Sequence, residues 1–142
     1  MAHQVSVFAE NKPGRIEKIA RILAQGGINI RAVTISSANG FGVVKILADQ
    51  PQRAFELLRE NGLPAYLQEV IAVTLEDVPG GLHRVAKTLA ENDVNIEDAY
   101  GFVVEKGKLA VLVIQVESEP HAQSILEKSG FVLLSDEEIY RL

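Results

Sequence analysis

The hydrophobic and polar positions of this chain follow the same pattern twice. Alternating apolar residues predict a first strand at Val5–Ala9 and a counterpart at Ile71–Leu75. A Pro-Gly pair follows each strand, and apolar residues then recur with the i, i+3, i+4, i+7 spacing of an amphipathic helix. The apolar helix positions, which we expect in the core, are Ile16, Ile19, Ala20 and Leu23 in the first half and Leu82, Val85, Ala86 and Leu89 in the second.

Two further strands are predicted in each half. The second strand begins at Asn29 in the first half and at Asn95 in the second. Apolar runs predict the third strand over residues 42–47 and 109–116. An Asn-Gly pair in the first half and a Lys-Gly pair in the second separate these strands and favour hairpin turns.

A second helix and a final strand complete each half. The helix is predicted from Gln52 to Asn61 and again from His121 to Ser129, with a glycine after each. The final strand is predicted near Ala65–Glu69 and near Glu137–Arg141. The element order is therefore βαββαβ, written twice.

The ends of the first helices differ between the halves. Gly26-Gly27 ends the helix of the first half, whereas Asn92-Asp93 ends that of the second. Since asparagine is the next best residue after glycine for a left-handed cap, we expect Asn92 to supply it.

The repeat extends to individual residues. Glu10–Ile16 returns as Glu76–Leu82, and the Ile-Asn-Ile of residues 28–30 returns as the Val-Asn-Ile of residues 94–96. Two copies indicate a duplicated small domain and not a solenoid. We therefore predict two domains, 1–69 and 70–142, in an α+β class. Each is a ferredoxin-like antiparallel sheet with both helices on one face, and we expect the two to pack together.

Composition and charge exclude several classes of protein. The 142 residues are 47% hydrophobic and 23% charged, which is a globular composition. A formal net charge of -5 disfavours nucleic-acid binding. The absence of cysteine and three scattered histidines argue against a metal centre, and no cofactor is expected. We expect a cytoplasmic protein without a membrane segment or a signal peptide.

The turn between the first strand and the first helix is the best candidate for chemistry. Backbone N–H groups at a helix N-terminus suit a carboxylate, and the oxygens of Asn11 or Asp77 suit an ammonium group. We expect Asn29 and Asn95 to lie beside that turn, so that the set would hold an α-amino acid. The alternative is purely structural: Pro-Gly makes a tight turn and the asparagine caps it.

These motifs resemble the signature of the ACT domain, a small amino-acid-binding regulatory module. Asn11–Ile16 with Gly27–Ile30 forms one copy, and Asp77–Leu82 with Asp93–Ile96 forms a second. The resemblance covers almost the whole chain and implies a free-standing tandem ACT protein without a catalytic domain. It also implies that ligand sites form between paired ACT domains and that the chain forms a homodimer.

The resemblance also implies ligand-binding residues. By motif these are Asn11, Gly14, Asn29, Ile30, Asp77, Gly80, Asn95 and Ile96. A serine-sensing member of the family carries a histidine two residues before the loop asparagine. Here those positions are Ala9 and Leu75, so the resemblance does not imply serine as the ligand.

Other polar or aromatic residues have plainer interpretations. We expect His83 to be a solvated helix residue, and Tyr100 and Phe102 to pack rather than to line a pocket. The acidic pairs Glu117/Glu119 and Glu137/Glu138 are more typical of an exposed edge than of an acid–base site.

The expected function is therefore that of a non-enzymatic regulator that binds an amino acid and acts on a partner enzyme. The alternative is a protein-interaction module resembling the small subunit of acetolactate synthase. An acylphosphatase-like hydrolase on the same fold is the least favoured hypothesis, because the expected phosphate-binding loop is missing.

Overall fold

The computed structural model describes all 142 residues, Met1–Leu142. The chain divides into two compact units. One consists of His3–Gln68 with Arg141, and the other of Met1–Ala2, Glu69–Tyr140 and Leu142. We call them the first and the second unit. None of the helices has the length and apolar character needed to cross a membrane.

The first unit is an antiparallel sheet with two helices. Its elements are β1 (Ala2–Glu10), α1 (Arg15–Gln25), β2 (Ile30–Ala38), β3 (Phe41–Ala48), α2 (Pro51–Glu60) and the first residues of β4 (Ala65–Glu76). Strand β3 pairs antiparallel with both β1 and β2, so that β2 is the outer strand. The amide of Phe8 donates to the carbonyl of Pro64 on the other side of β1, at 3.1 Å.

The second unit repeats this order. Its elements are the remainder of β4, α3 (Gly81–Glu91), β5 (Ile96–Glu105), β6 (Leu109–Val116), α4 (Glu119–Lys128), β7 (Leu133–Leu134) and α5 (Asp136–Tyr140). Strand β6 pairs antiparallel with β4 and β5, and β7 pairs with the other side of β4. The predicted fold class, two ferredoxin-like βαββαβ units with antiparallel sheets, is confirmed.

Each unit has its own core on one face of its sheet. In the first unit Val5 and Val7 of β1 pack in one cluster with Ile19 and Leu23 of α1. Alternation along the strand places these valines on the helix side. In the second unit the matching cluster lies beneath α3 and α4.

The predicted helix stripe is partly wrong. Ile16 is 41% exposed and Leu82 is 56% exposed, and Ala20 is also exposed, whereas Ile22 is buried. Each first helix buries a face rotated by part of a turn from the predicted one. Gly81 at the start of α3 is buried, so the first turn does pack on the sheet, and the difference lies in which face of the helix is turned toward it.

The predicted final strand of the second half is also wrong. Strand β7 covers only Leu133–Leu134, and the residues near Glu137 form α5. Ser135 explains the change, because its Oγ accepts a hydrogen bond from the amide of Glu138 at 3.2 Å and caps the helix. Three acidic residues in the first turn, Asp136 to Glu138, complement the helix dipole, and Ile139 is buried.

The left-handed cap of α3 is Asp93 and not Asn92. Asp93 has φ 56°, and the equivalent residue of the first unit is Gly27 with φ 73°. Asn92 has φ −109° and lies outside the left-handed region. The duplicated fold therefore requires a left-handed residue here, and the second unit meets this requirement without glycine.

This difference predicts a stability change. Asp93→Gly should raise the free energy of unfolding by up to about 1 kcal/mol, because glycine adopts positive φ without the steric cost of a Cβ. Gly27→Asp should lower it by a similar amount. Urea denaturation measures both, with Asp93→Ala as the control that removes the carboxylate but keeps the Cβ. A gain of stability in Asp93→Ala equal to that in Asp93→Gly would contradict the argument.

Candidate functional site

The turn between the first strand and the first helix has the same geometry in both units. Gly14 and Gly80 precede α1 and α3, each with φ 90°. A Cβ built on either glycine meets nothing within 4 Å, so the backbone angle and not crowding requires glycine. The turn is closed by hydrogen bonds from the amides of Arg15 and Gly81 to the carbonyls of Lys12 and Val78, respectively.

Each turn is tied to the neighbouring β-hairpin. The amide of Asn11 donates to the carbonyl of Gly40 at 2.8 Å, and its Nδ2 donates to Ser37 Oγ at 3.1 Å. In the second unit the amide of Asp77 donates to the carbonyl of Lys108 at 3.3 Å. One carboxylate oxygen of Asp77 accepts a hydrogen bond from the amide of Gly107 at 2.7 Å. The loop residue therefore faces the hairpin in both units.

Asn29 lies at the opposite end of β2. Its amide donates to Asp49 Oδ1 at 3.0 Å, and its carbonyl accepts from the amide of Asp49. Asn11 contacts Ser37, near the far end of β2. At about 3.3 Å per residue, this nine-residue strand separates the two asparagines by roughly 25 Å. The expectation that Asn29 lies beside the turn of its own domain is wrong.

The second unit separates its candidate residues in the same way. Asn95 precedes β5, whereas Asp77 binds the hairpin that follows the other end of β5. Ile30 and Ile96 are half-buried at the starts of β2 and β5, next to the cores of their units. A single unit therefore does not bring a loop residue and a strand-start asparagine together around one small ligand.

Charge lies close to the loop of the first unit. The Lys12 ammonium, which forms a hydrogen bond and an ion pair with the Glu10 carboxylate, lowers the pKa of Glu10, and Arg15 adds to this effect. Both side chains of the pair are about half exposed, so water screens the interaction.

The remaining aromatic and histidine residues have plain surroundings. Tyr100 and Phe102 are half-buried on β5 and face Val113 and Val111 of β6. Burial, together with the nearby Asp98 carboxylate, raises the pKa of Tyr100. His83 is exposed. No group of three histidine, cysteine or carboxylate residues is placed to hold a metal ion.

Sequence reasoning missed a cavity in the second unit. It has a volume of about 200 Å³ and is bordered by the end of β4, the start of α3, the start of β6 and residues 130–132. Arg84 and Lys108 line it, and none of the predicted site residues does. The sequence signal that could have pointed to this cavity is a difference between the two halves. The positions of Arg84 and Lys108 are occupied by Lys18 and Gly40 in the first half.

Two adjacent glycines at the start of α3 should respond differently to substitution. Gly80→Ala should cost about 1 kcal/mol of unfolding free energy through the positive φ alone. Gly81→Ala should cost more, because its Cβ would lie 2.2 Å from the carbonyl oxygen of Glu76 and the helix would have to move. Chemical denaturation of the two variants checks this order. Equal losses would contradict the close approach of α3 to β4.

The comparisons with known proteins agree with this architecture. A family model described as "ACT domain pair" matches residues 1–142. Protein BT0572 from Bacteroides thetaiotaomicron has a similar structure, with a TM-score of 0.92 and 29% identity, covering 99% of this chain and 96% of that one. The ligand-free regulatory subunit of aspartate kinase from Thermus thermophilus aligns with a TM-score of 0.65 and 20% identity, covering 91% and 93%. No curated protein matches the chain.

Proposed function

Because the chain belongs to the ACT domain pair family, we propose that it is a non-catalytic cytoplasmic regulator that binds an amino acid and transmits this binding to a partner enzyme. The observation that carries the proposal is the repeated turn, in which Gly14 or Gly80 opens a helix beside Asn11 or Asp77. Helix-start amides suit the carboxylate of an amino acid, and the loop side-chain oxygens suit its ammonium group. A regulatory role is also named for the similar Thermus thermophilus subunit.

The separation of the candidate residues specifies how a complete site would form. A loop residue lies at one end of the outer strand of its unit, and the asparagine lies at the other end. Two outer strands paired antiparallel would bring the end of one next to the start of the other. Such pairing between two copies of the chain would place Asn95 of one copy near Asn11 of the other, and Asn29 near Asp77. We propose that the ligand binds at these two kinds of junction, each of which occurs twice in a symmetric homodimer.

The outer strands favour pairing of β2 with β5. Strand β2 carries one cation, Arg31, and no carboxylate, whereas β5 carries Glu97, Asp98 and Glu105 and no cation. Pairing β5 with another β5 would bring six carboxylates together, but pairing it with β2 opposes unlike charges. Exposed backbone at an outer strand also favours the addition of another strand.

Shape supports the same pairing. On the helix side of the sheet, β2 presents the exposed side chains of Val33 and Ile35, while the equivalent residues of β5 are Ala99 and Gly101. Large side chains on one strand therefore meet small ones on the other. Each first helix also keeps an apolar stripe outside the core of its own unit: Ile16, Ala20 and Ala24 on α1, and Leu82, Ala86 and Ala90 on α3.

This arrangement gives a mechanism for regulation. A ligand bound where two copies meet stabilises the paired arrangement by its differential affinity for that arrangement. A coupling of about 1–3 kcal/mol is enough to change the state presented to a partner enzyme.

Ligand binding should appear as thermal stabilisation. We expect one class among the twenty amino acids to raise the Tm, since a ligand at 100 times its Kd adds about 2.7 kcal/mol. Asn11→Ala and Asn29→Ala should each reduce this shift. Asn61→Ala, the same change at the exposed C-terminal end of α2, should leave it intact.

Two results would contradict this proposal. One is a full ligand shift in both Asn11→Ala and Asn29→Ala. The other is no shift with any amino acid at millimolar concentration, which would favour the protein-interaction alternative.

Self-association should depend on the outer strand. Ile35→Asp places a charge on the exposed helix-side face of β2 and should convert the dimer to monomer in sedimentation velocity. Gln52→Asp adds the same charge on an exposed position of α2 and should leave the dimer intact. A dimeric Ile35→Asp variant, or a monomeric unmodified protein, would contradict pairing through β2.

A further inference from the structure

The cavity of the second unit combines cations with an apolar wall. Arg84 and Lys108 line it together with Leu75, Leu109 and Phe131. Its volume of about 200 Å³ is below the roughly 300–1,000 Å³ of pockets for drug-sized ligands. It therefore suits a metabolite of a few carbon atoms.

Contacts within the second unit position the two cations. The guanidinium of Arg84 lies over the ring of Phe131 at 6.0 Å. Arg84 Nη1 lies 3.8 Å from Glu76 Oε1, which is beyond hydrogen-bond distance. Lys108 Nζ forms an ion pair with Glu105 Oε1 at 3.0 Å, with both side chains more than half exposed. The hydrogen-bonding capacity of the guanidinium is thus not used up by its acidic neighbour.

The first unit lacks this combination. The residues equivalent to Gly81, Arg84, Lys108 and Phe131 are Arg15, Lys18, Gly40 and Leu63. Gly81 lines the cavity without a side chain, whereas the first unit carries an arginine at the equivalent position. Lys108 has no cationic counterpart, because glycine occupies its hairpin position. The two copies have diverged around this cavity while keeping the same backbone hydrogen bonds.

We propose that this cavity binds a small carboxylate with an aliphatic chain. The carboxylate would lie between Arg84 and Lys108, and the chain would pack on Leu75, Leu109 and Phe131. Each cation has one carboxylate neighbour, Glu76 for Arg84 and Glu105 for Lys108, and both pairs are exposed, so a bound carboxylate can compete for their remaining N–H groups. This site lies within one unit and uses neither Asn11 nor Asn29, so it does not depend on the strand-end sites proposed above.

Glu76 allows two classes of ligand to be distinguished, a carboxylic acid without an amino group and an amino acid. A carboxylic acid without an amino group gains nothing from Glu76, whereas the ammonium group of an amino acid would pair with it. The probes are 3-methylbutanoate and valine, which share a carbon skeleton and differ by the α-ammonium group. Isobutylamine, which has an ammonium group and no carboxylate, is the negative control.

The test is a titration of the full chain followed by amide NMR. We expect 3-methylbutanoate to shift the amides of Gly130, Phe131 and Val132 in a saturable way, and isobutylamine to leave them unchanged. Arg84→Gln and Lys108→Gln should each weaken binding by at least about threefold, the expected scale for one partly exposed charge contact. Both side chains are more than half exposed, so the variants should fold.

Matched control variants separate a loss of binding at the cavity from a general effect of removing positive charge. Lys18→Gln removes the equivalent cation of the first unit, and Lys106→Gln removes a cation from the same hairpin as Lys108 but outside the cavity. Neither should change the Kd by more than the error of the titration. Glu76→Gln should tighten binding of 3-methylbutanoate, and it should weaken binding of valine if valine pairs its ammonium group with Glu76.

Three outcomes would overturn the proposal. The first is no saturable shift with either carboxylate at millimolar concentration. The second is equal binding of isobutylamine, which would mean that the cations do not select the ligand. The third is an equal loss of binding in Lys18→Gln and Arg84→Gln. Loss of the amino-acid thermal shift in Asn11→Ala, with the cavity titration unchanged, would separate the two proposals.

Discussion

The rest of each unit depends on the tight turn that joins its first strand to its first helix. A glycine with φ 90° reverses the chain, and the next residues begin the helix without an intervening loop. The same turn donates a backbone hydrogen bond to the neighbouring hairpin, from Asn11 to Gly40 or from Asp77 to Lys108. This arrangement fixes where the helix starts, which loop side chains face the hairpin and, in the second unit, how closely α3 approaches the end of β4.

Strand direction explains why the candidate residues separate. Strands β1 and β2 each pair antiparallel with β3 and therefore run parallel to each other. The turn after β1 then lies at the end of β2 and not at its start. Asn29 and Asn11 are accordingly far apart, although both belong to one recurring motif. A motif that recurs as a whole does not have to form one site within one copy of the domain. The proposed antiparallel pairing of outer strands from two chains would bring the separated motif residues together.

The sequence was sufficient for the order of elements up to α5, and it was insufficient where tertiary contacts decide. Alternation and helical spacing located β1, α1 and their counterparts because burial imposes those periods. The same spacing also assigned Ile16 and Leu82 to the core, since each helix carries more apolar positions than one stripe and periodicity does not show which of them face the sheet. The serine cap at Ser135 favoured α5 over a strand in a segment whose hydrophobic pattern was weak. The local sequence pattern shows neither the separation of the ligand-motif residues nor the cavity beside Arg84. Both depend on which segments of the chain the fold brings together.

Duplication makes the divergence between the halves informative. Residues that form the turn and its hydrogen bonds have equivalents in both units, because both units need the same backbone conformation there. Around the cavity Gly81, Lys108 and Phe131 all differ from their equivalents, and the close approach of α3 to Glu76 accounts for Gly81 but not for the other two. A cation at Lys108 contributes little to folding when it is largely exposed. Its ion pair with Glu105 is exposed as well, so the anion recognition proposed above would give this position a role that folding does not supply.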